Sequence, residues 1–253
     1  SKKTVISQWF EDHLADTGPD FASNRKKLLK YDEYINSNFI TTHPSTLDFL
    51  DKKKNFHYLP IPVDKNIEKL KIYEKNNQIN DVFFSMSHGV NRGKLKRDKQ
   101  DERHNFITDL ISECPNIIFD IYGYKNREPV WAEDFYKVIV NSKMALNLTR
   151  GKPLKYLTSN RIASLIGNGL LTFIDKRTQL DNFFNSNEVI FYSGLEDLAN
   201  KINFYKSNDK ERINVAKKGR RKYFDFFECQ KVANYIISKS FNRDLSKRLK
   251  WMD

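Results

Sequence analysis

The chain has 253 residues, with 44 Lys and Arg against 32 Asp and Glu, giving a formal charge of +12. That length allows one large domain or two small ones at roughly 100–200 residues each, and the 13% aromatic content argues against disorder. Two cysteines, Cys114 and Cys229, exclude a disulfide scaffold and suit a reducing cytoplasm, while no apolar run reaches the ~18 residues of a membrane span and no signal-peptide pattern follows Ser1.

Short β-rich runs alternate with helical patterns along the whole chain, which predicts an α/β fold with a parallel sheet flanked by helices. A strand is expected over 5–10, a helix over 24–31, a strand over 34–41 and a short helix over 45–50. The run 57–63 reads as a strand, but Pro60 and Pro62 deny it ladder hydrogen bonds, so it belongs at an edge or in a crossing linker. Residues 65–80 are polar and compatible with a helix. A new series follows: strand 81–86, helix 100–111 with Phe106, Ile107, Leu110 and Ile111 on one face, strand 116–122, helix 132–140 and strand 144–148. Thr158 or Ser159 caps the next helix, whose inner face is Ile162, Leu165 and Ile166 and which ends at Gly167 or Gly169. Strand 170–174, helix 179–184, strand 188–192 and helix 195–205 come next. A last helix begins after Asn208, with Glu211 in the capping-box position, and continues to about residue 239.

This pattern divides the chain into an abbreviated N-terminal α/β domain (1–64), a complete open α/β domain (65–240) and a basic tail (241–253). Three strands in about 64 residues make only part of a sheet, so further strands are expected before Ser1. Whether a longer chain was cut or a natural variant is reduced stays open.

Excess positive charge raises the local concentration of anions: nucleotides, nucleic acids or anionic lipids. Much of it sits in short blocks, including Lys217, Lys218, Arg220, Arg221 and Lys222, each of which also reads as an ordinary solvated surface. In an open parallel sheet, ligands bind beyond the carboxyl ends of the strands. Two loops there stand out. The first runs from Ser87 and His88 through Gly89 to Arg92, Gly93 and Lys94, glycines with cations that suit a phosphate, or else a plain flexible loop. The second, 149–159, is longer than the two to six residues usual for such a connection. It leads into a helix opening with Ser159, Asn160 and Arg161, where free N–H groups favour an anion. Arg161 sits poorly with that dipole end unless an anion compensates it or it points to water.

Glu11, Asp12 and His13 follow the first strand, where a carboxylate beside a histidine suits a general base or simple solvation. The five histidines show no ligand spacing and no Asp-x-Asp occurs, so no metal is expected. Cys114 and Cys229 read as packed core thiols. Neither a nucleophile elbow nor a Walker sequence is present.

Three segments carry a resemblance: Ser142-Lys143-Met144-Ala145-Leu146-Asn147-Leu148, Tyr156-Leu157-Thr158-Ser159-Asn160-Arg161-Ile162, and Gly169-Leu170-Leu171-Thr172-Phe173-Ile174-Asp175. With Glu196-Asp197-Leu198, Glu211-Arg212 and Lys218-Gly219-Arg220 further on, residues 81–240 resemble the group 1 glycosyltransferases of bacterial surface polysaccharide synthesis. The resemblance implies the GT-B architecture, two Rossmann-like domains facing across a cleft, with a nucleoside-diphosphate sugar held mainly by the second. By position it implies that Arg92 and Lys94 meet the diphosphate, that Gly123 and Tyr124 lie near the base, and that Thr158, Ser159, Asn160 and Arg161 meet phosphate and sugar. Pro60-Ile61-Pro62-Val63-Asp64 looks like the family's crossing between domains, which sets Glu11 and Asp12 on the acceptor side. One departure stands out. Ser164 occupies the place of a glutamate usual in relatives, and Tyr156 lies eight residues before it instead of a second glutamate.

The expected activity is therefore sugar transfer from a nucleoside-diphosphate donor to a glycan or lipid-linked acceptor. Arg, Lys and a helix end stabilise the leaving diphosphate in place of a metal, and Asp12 or Glu11 serves as base if the reaction inverts. No cofactor beyond the donor is expected. The basic surface suits contact with an anionic membrane face. An inactive donor-binding subunit and a nucleic-acid-binding protein are the rivals; the second lacks any recognised module.

Overall fold

Two parallel sheets organise the chain in the computed structural model, which describes residues 4–18, 20–87, 90–91, 94–95, 102–244, 249 and 251. The first sheet joins β1 (Ser7–Phe10), β2 (Ser37–Ile40) and β3 (Phe56–Tyr58) in that order, with α1 (Phe21–Leu29) in the β1–β2 connection. The second contains β4 (Asn80–Ser85), β7 (Phe119–Tyr122), β8 (Ser142–Asn147), β9 (Leu171–Asp175) and β10 (Ile190–Tyr192), while β5 (Val90–Asn91) and β6 (Lys94–Leu95) form a small antiparallel hairpin after β4. Helices α2 (Glu102–Glu113), α3 (Ala132–Ile139), α4 (Asn160–Gly167), α5 (Leu195–Ser207), α6 (Asp209–Phe227) and α7 (Cys229–Ser240) complete the order.

Strand alternation explains how both faces of the large sheet are covered. Val82 and Phe84 of β4, with Met144 and Leu146 of β8, join Ile107 and Leu110 of α2 and Leu198 and Ile202 of α5 in one cluster. The intervening Phe83 and Ala145 point the other way, to Ile139 of α3 and Leu165 of α4. A period of two with apolar residues on both faces is the signature of a fully buried parallel strand.

The crossing segment accounts for its own backbone. Leu59, Ile61 and Val63 donate their N–H groups to Ile40 O, Thr158 Oγ1 and Phe227 O, and the residues between them are prolines with none to place. Pro60 and Pro62 therefore end β3 at Tyr58 and leave no orphan donor.

Several expected elements differ. Residues 65–80 hold only the 3-10 turn Ile72–Glu74, and 179–184 only the turn Leu180–Asn182 before β10. Asn208 makes no side-chain cap; its amide instead bonds Phe204 O at 2.7 Å. The long C-terminal helix is broken at Glu228, whose extended ψ of 139° lets Val63 bond Phe227 O and accept from Cys229 N. That break turns α7 back onto the first sheet. Tyr235 meets Phe39 and His57 edge-on at 6.0 and 6.3 Å, and Trp251 meets Tyr58 at 6.3 Å. Of the two cysteines, Cys114 is buried in the core and Cys229 half-buried at the break.

His57, enclosed by those rings, is pushed from 6.5 down to about 4 by burial and then by Lys239. A histidine with a depressed folded pKa stabilises the unfolded state once that state takes up a proton, so stability is full above pH 6.5 and is lost on acidification toward 4. His57→Phe keeps the aromatic packing without the proton site. Urea midpoints measured across this window are expected to fall less for the variant than for the parent; parallel curves contradict the assignment.

Candidate functional site

Strand order in the large sheet is β10-β9-β8-β4-β7, so the connections leaving β4 and β8 depart in opposite directions. The crevice they leave is where ligands of open α/β sheets bind. A cleft of about 420 Å³ opens there, walled by Ser85, Met86 and Ser87 after β4 and by Ser159, Asn160, Arg161 and Ser164 of α4. Val130, Trp131 and Phe135 close one side from α3, and Glu11, Asp12 and Ile61 reach in from the first sheet and the crossing.

The α4 wall is built for an anion. Ser159, in extended geometry, caps the helix by accepting from Ile162 N at 3.3 Å. That leaves the first amides of the helix without partners in the helix and at its positive end. Gly169, with φ of +84°, ends the helix in the left-handed conformation and returns its N–H to Ile166 O. Arg161 lies folded beneath the first turn. Its Nη1 donates to Leu148 O at 2.8 Å and to Asn147 Oδ1 at 3.3 Å, and the guanidinium lies 5.1 Å from the centre of the Phe84 ring. Burial, reinforced by Arg103, pushes its pKa down to about 9, and no carboxylate pairs with it among the described residues. Arg161 is half-buried on the cleft wall and bonded to two neutral oxygens, so an anion in the cleft would supply the counter-charge it lacks among the described residues.

The opposite wall is acidic. Glu11 Oε2 accepts from Asn160 Nδ2 at 2.9 Å, tying the β1 loop to the start of α4 across the cleft. Asp12 lines the cleft beside it and, among the described residues, pairs with the exposed Lys27 at 3.5 Å. His13 turns away from this wall toward Gly18. Burial first, then Arg150 and Arg103, pushes its pKa down to about 4, and Nε2 has no partner among the described residues.

Other expected site residues lie elsewhere or do other work. Ser87 is at the cleft; His88 and Arg92 lie outside the described residues, and Lys94 is placed by its backbone in β6. Gly123 and Tyr124 do not line the cleft. Gly123, at φ +74°, passes so close to Met86 O that a Cβ would lie 1.8 Å from it, and Tyr124 faces α2, bonding Thr108 Oγ1 at 2.7 Å. Thr158 is buried and gives its oxygen to Ile61 N. The length of loop 149–159 has a structural cause: Arg150 pairs with Asp20 at 2.7 Å, Lys152 N bonds Thr17 Oγ1, and Lys155 O accepts from His43 N. The loop docks one sheet layer onto the other.

Sequence reasoning missed the α3 wall and Arg103. Trp131 is 51% exposed at the cleft, and Ala132 after it holds a left-handed φ of +47°. Arg103 is 4% exposed in α2, on a helix whose sequence pattern singled out only Phe106, Ile107, Leu110 and Ile111. Among the described residues no group of three or more His, Cys, Asp or Glu gathers as a metal site, and no helix is long and apolar enough to cross a membrane.

Comparison with known proteins follows this geometry. The profile of a family described as glycosyl transferase-like matches residues 99–238, more than half of the chain. Compared by sequence with curated proteins, the chain matches none. Among solved structures it is similar to Anabaena Alr3699/HepE in complex with UDP, at a TM-score of 0.65 and 12% identity over 94% of this chain and 72% of that one. It is also similar to a S. aureus TarM mutant in complex with Fondaparinux, alpha-GlcNAc-glycerol and UDP (TM-score 0.63, 15% identity, 94% and 51%). Sucrose-phosphate synthase from Thermosynechococcus elongatus gives 0.58 and 8% over 93% and 67%. The fold of two parallel sheets is thus shared with solved structures, and the family match identifies the chain: it belongs to the glycosyl transferase-like family and is a glycosyltransferase of GT-B fold.

Proposed function

We propose that the cleft binds a nucleoside-diphosphate sugar and that the enzyme transfers the sugar, without a metal ion, to a hydroxyl of a glycan or lipid-linked acceptor. The observation that carries this reading is Arg161, half-buried on the cleft wall at the capped start of α4 with no carboxylate partner among the described residues. When the bond from the anomeric carbon to the diphosphate breaks, negative charge develops on the leaving oxygen. A fixed guanidinium and oriented amides in a crevice stabilise that charge without reorganising. Ser87, at the cleft, takes an outer phosphate oxygen. Trp131, Val130 and Phe135 offer an apolar wall suited to the base, a task the resemblance had given to Gly123 and Tyr124. The neighbours Alr3699/HepE and TarM, solved with UDP, support a uridine nucleotide as the first probe.

On the facing wall, Asp12 is the carboxylate not engaged across the cleft and is the residue to accept the proton of the attacking hydroxyl. Glu11 holds Asn160 and so fixes the gap between the walls. Ser164 lines the cleft where relatives usually carry a glutamate, which favours a second reading, a donor-binding subunit without turnover. Hydrolysis or transfer of the bound sugar separates the two.

Arg161→Met removes the buried charge and keeps the bulk. Without ligand the variant is expected to melt at the same temperature as the parent or higher, because replacing a buried charge by an apolar group of similar volume is often neutral or stabilising. In calorimetry with UDP and a chelator, the parent is expected to bind, and the variant to bind about ten- to a hundred-fold more weakly, the range for a hydrogen bond to a charged group. Binding that needs magnesium or manganese, or equal affinity in the variant, contradicts the proposal. Asp12→Asn is expected to leave UDP affinity unchanged and to slow transfer by roughly a hundred- to ten-thousand-fold. Loss of both binding and turnover would instead make Asp12 a donor ligand.

A further inference from the structure

The cleft does not end at Ser164. A second hollow of about 370 Å³ continues from it and shares Ile61, Tyr136, Asn160 and Ser164 with the cleft. Its other side comes from the crossing segment and the turn after it, through Val63, Asp64, Ile67 and Glu68. Two hydroxyls stand at the junction. Ser164 is half-buried on α4, and its side chain makes no hydrogen bond among the described residues. A serine within a helix can satisfy itself on the carbonyl one turn back; this one leaves its hydroxyl to the hollow. Tyr136, also half-buried, comes from α3 next to Phe135 of the apolar wall, and its hydroxyl has one contact, a long one to Glu68 Oε1 at 3.5 Å.

Glu68 is the unusual member of this group. It is 5% exposed, and no cation pairs with its carboxylate among the described residues. The chain nevertheless fixes it from three sides. Gly167 leaves room for it, since a Cβ there would lie 2.5 Å from Glu68 Cγ. Arg220 clamps the two backbones together, donating Nη2 to Glu68 O at 2.9 Å and Nε to Gly167 O at 2.8 Å. Asp64 N donates to Oε2 at 2.8 Å, which leaves Oε1 turned to Tyr136. An ionised carboxylate can accept about four hydrogen bonds, so this one is under-used. Burial accordingly pushes its pKa up. A carboxylate held at such cost orients the Tyr136 hydroxyl at the mouth of the hollow.

The position along α4 narrows what these groups meet. Asn160 and Arg161 open the helix, and Ser164 follows one turn later, roughly 5 Å along the axis. That is the reach from a phosphate to the ring esterified to it. Carboxylates at the far end, Asp64 and Glu68, repel a phosphate, so the hollow suits an uncharged part of the same ligand. Hydroxyls donate and accept at once, as Ser164 and Tyr136 do, and Ile61, Val63 and Ile67 offer apolar surface to ring C–H groups. We infer that this extension binds the hydroxyls of a sugar ring joined to the diphosphate, with Ser164 and Tyr136 as direct partners and Glu68 as the residue that positions Tyr136. Two rings of a nucleotide sugar have that chemistry, the ribose and the transferred sugar. The inference rests on the cleft holding a nucleotide and assigns the residues that read the ring beside the phosphates.

Calorimetry on the full chain tests it, with UDP, 2′-deoxy-UDP, 3′-deoxy-UDP, UDP-glucose, UDP-galactose and UDP-N-acetylglucosamine as probes. If the ribose is the occupant, the parent is expected to bind UDP about tenfold more tightly than at least one deoxy analogue. If the transferred sugar is, at least one UDP-sugar is expected to bind about tenfold more tightly than UDP. In either case Ser164→Ala is expected to erase the difference by weakening only the better ligand, and to melt no lower than the parent, because alanine is the better helix former. Tyr136→Phe and Glu68→Gln are expected to reduce the same difference, and either one serves should the other fold poorly. Parent affinity for UDP with neither difference overturns the inference and leaves the cleft reading standing. Differences that persist in all three variants, or an equal loss of affinity for every probe, overturn it as well. No binding of any probe by the parent removes the cleft reading and the inference together.

Discussion

A guanidinium half-buried at the edge of a sheet needs partners there, and the oxygens around Arg161 supply only dipoles: one main-chain carbonyl and one amide. Three elements must converge to hold it there. The end of β8 gives Asn147 and Leu148, β4 gives the Phe84 ring beneath, and the Ser159 cap fixes the first turn of α4 above. A helix N-terminus already disfavours a cation, and Arg103 adds to that repulsion. Arg103 thus lies close enough to disfavour the charge on Arg161. In the proposed function, a diphosphate in the cleft offsets that charge.

The anion site is only half of the cleft, and the other half depends on how the two layers are joined. Crossing segment 59–63 is pinned on one side by Thr158 and on the other by the break at Glu228, with the Tyr223 hydroxyl bonding Ile61 O at 3.1 Å. Loop 149–159 adds the Arg150–Asp20 pair and its backbone bonds to Thr17 and His43. These contacts bring Glu11 within hydrogen-bond distance of Asn160. The two walls of the cleft are therefore set by loop contacts together with buried contacts of the crossing segment, whose Ile61, Val63 and Tyr223 belong to the core.

Much of this was legible in the sequence because it rests on local patterns. Alternating apolar runs marked every strand of the large sheet, Ser159 marked the start of α4, and two prolines marked the crossing. What escaped was set by tertiary contact. Residues 65–80 carry helix-compatible polarity yet serve as a connector, anchored by Ile72 N on Asn168 O, and helix propensity alone is a weak prior. No glycine or proline announces the break at Glu228; Val63, 165 residues earlier, takes the bonds that would have continued the helix. Thr158 reads as a ligand contact in a motif and is a strut in the structure. The aromatic wall of α3 was invisible because Val130, Trp131 and Phe135 look like any apolar turn until strand order brings them beside β4.

The most direct test of the account is diffraction from crystals of the chain soaked with UDP. The account predicts diphosphate oxygens within about 2.7–3.2 Å of the Arg161 guanidinium and of the first amides of α4, with the uracil toward Trp131. A nucleotide bound elsewhere, with Arg161 still held only by Asn147 and Leu148, would contradict it.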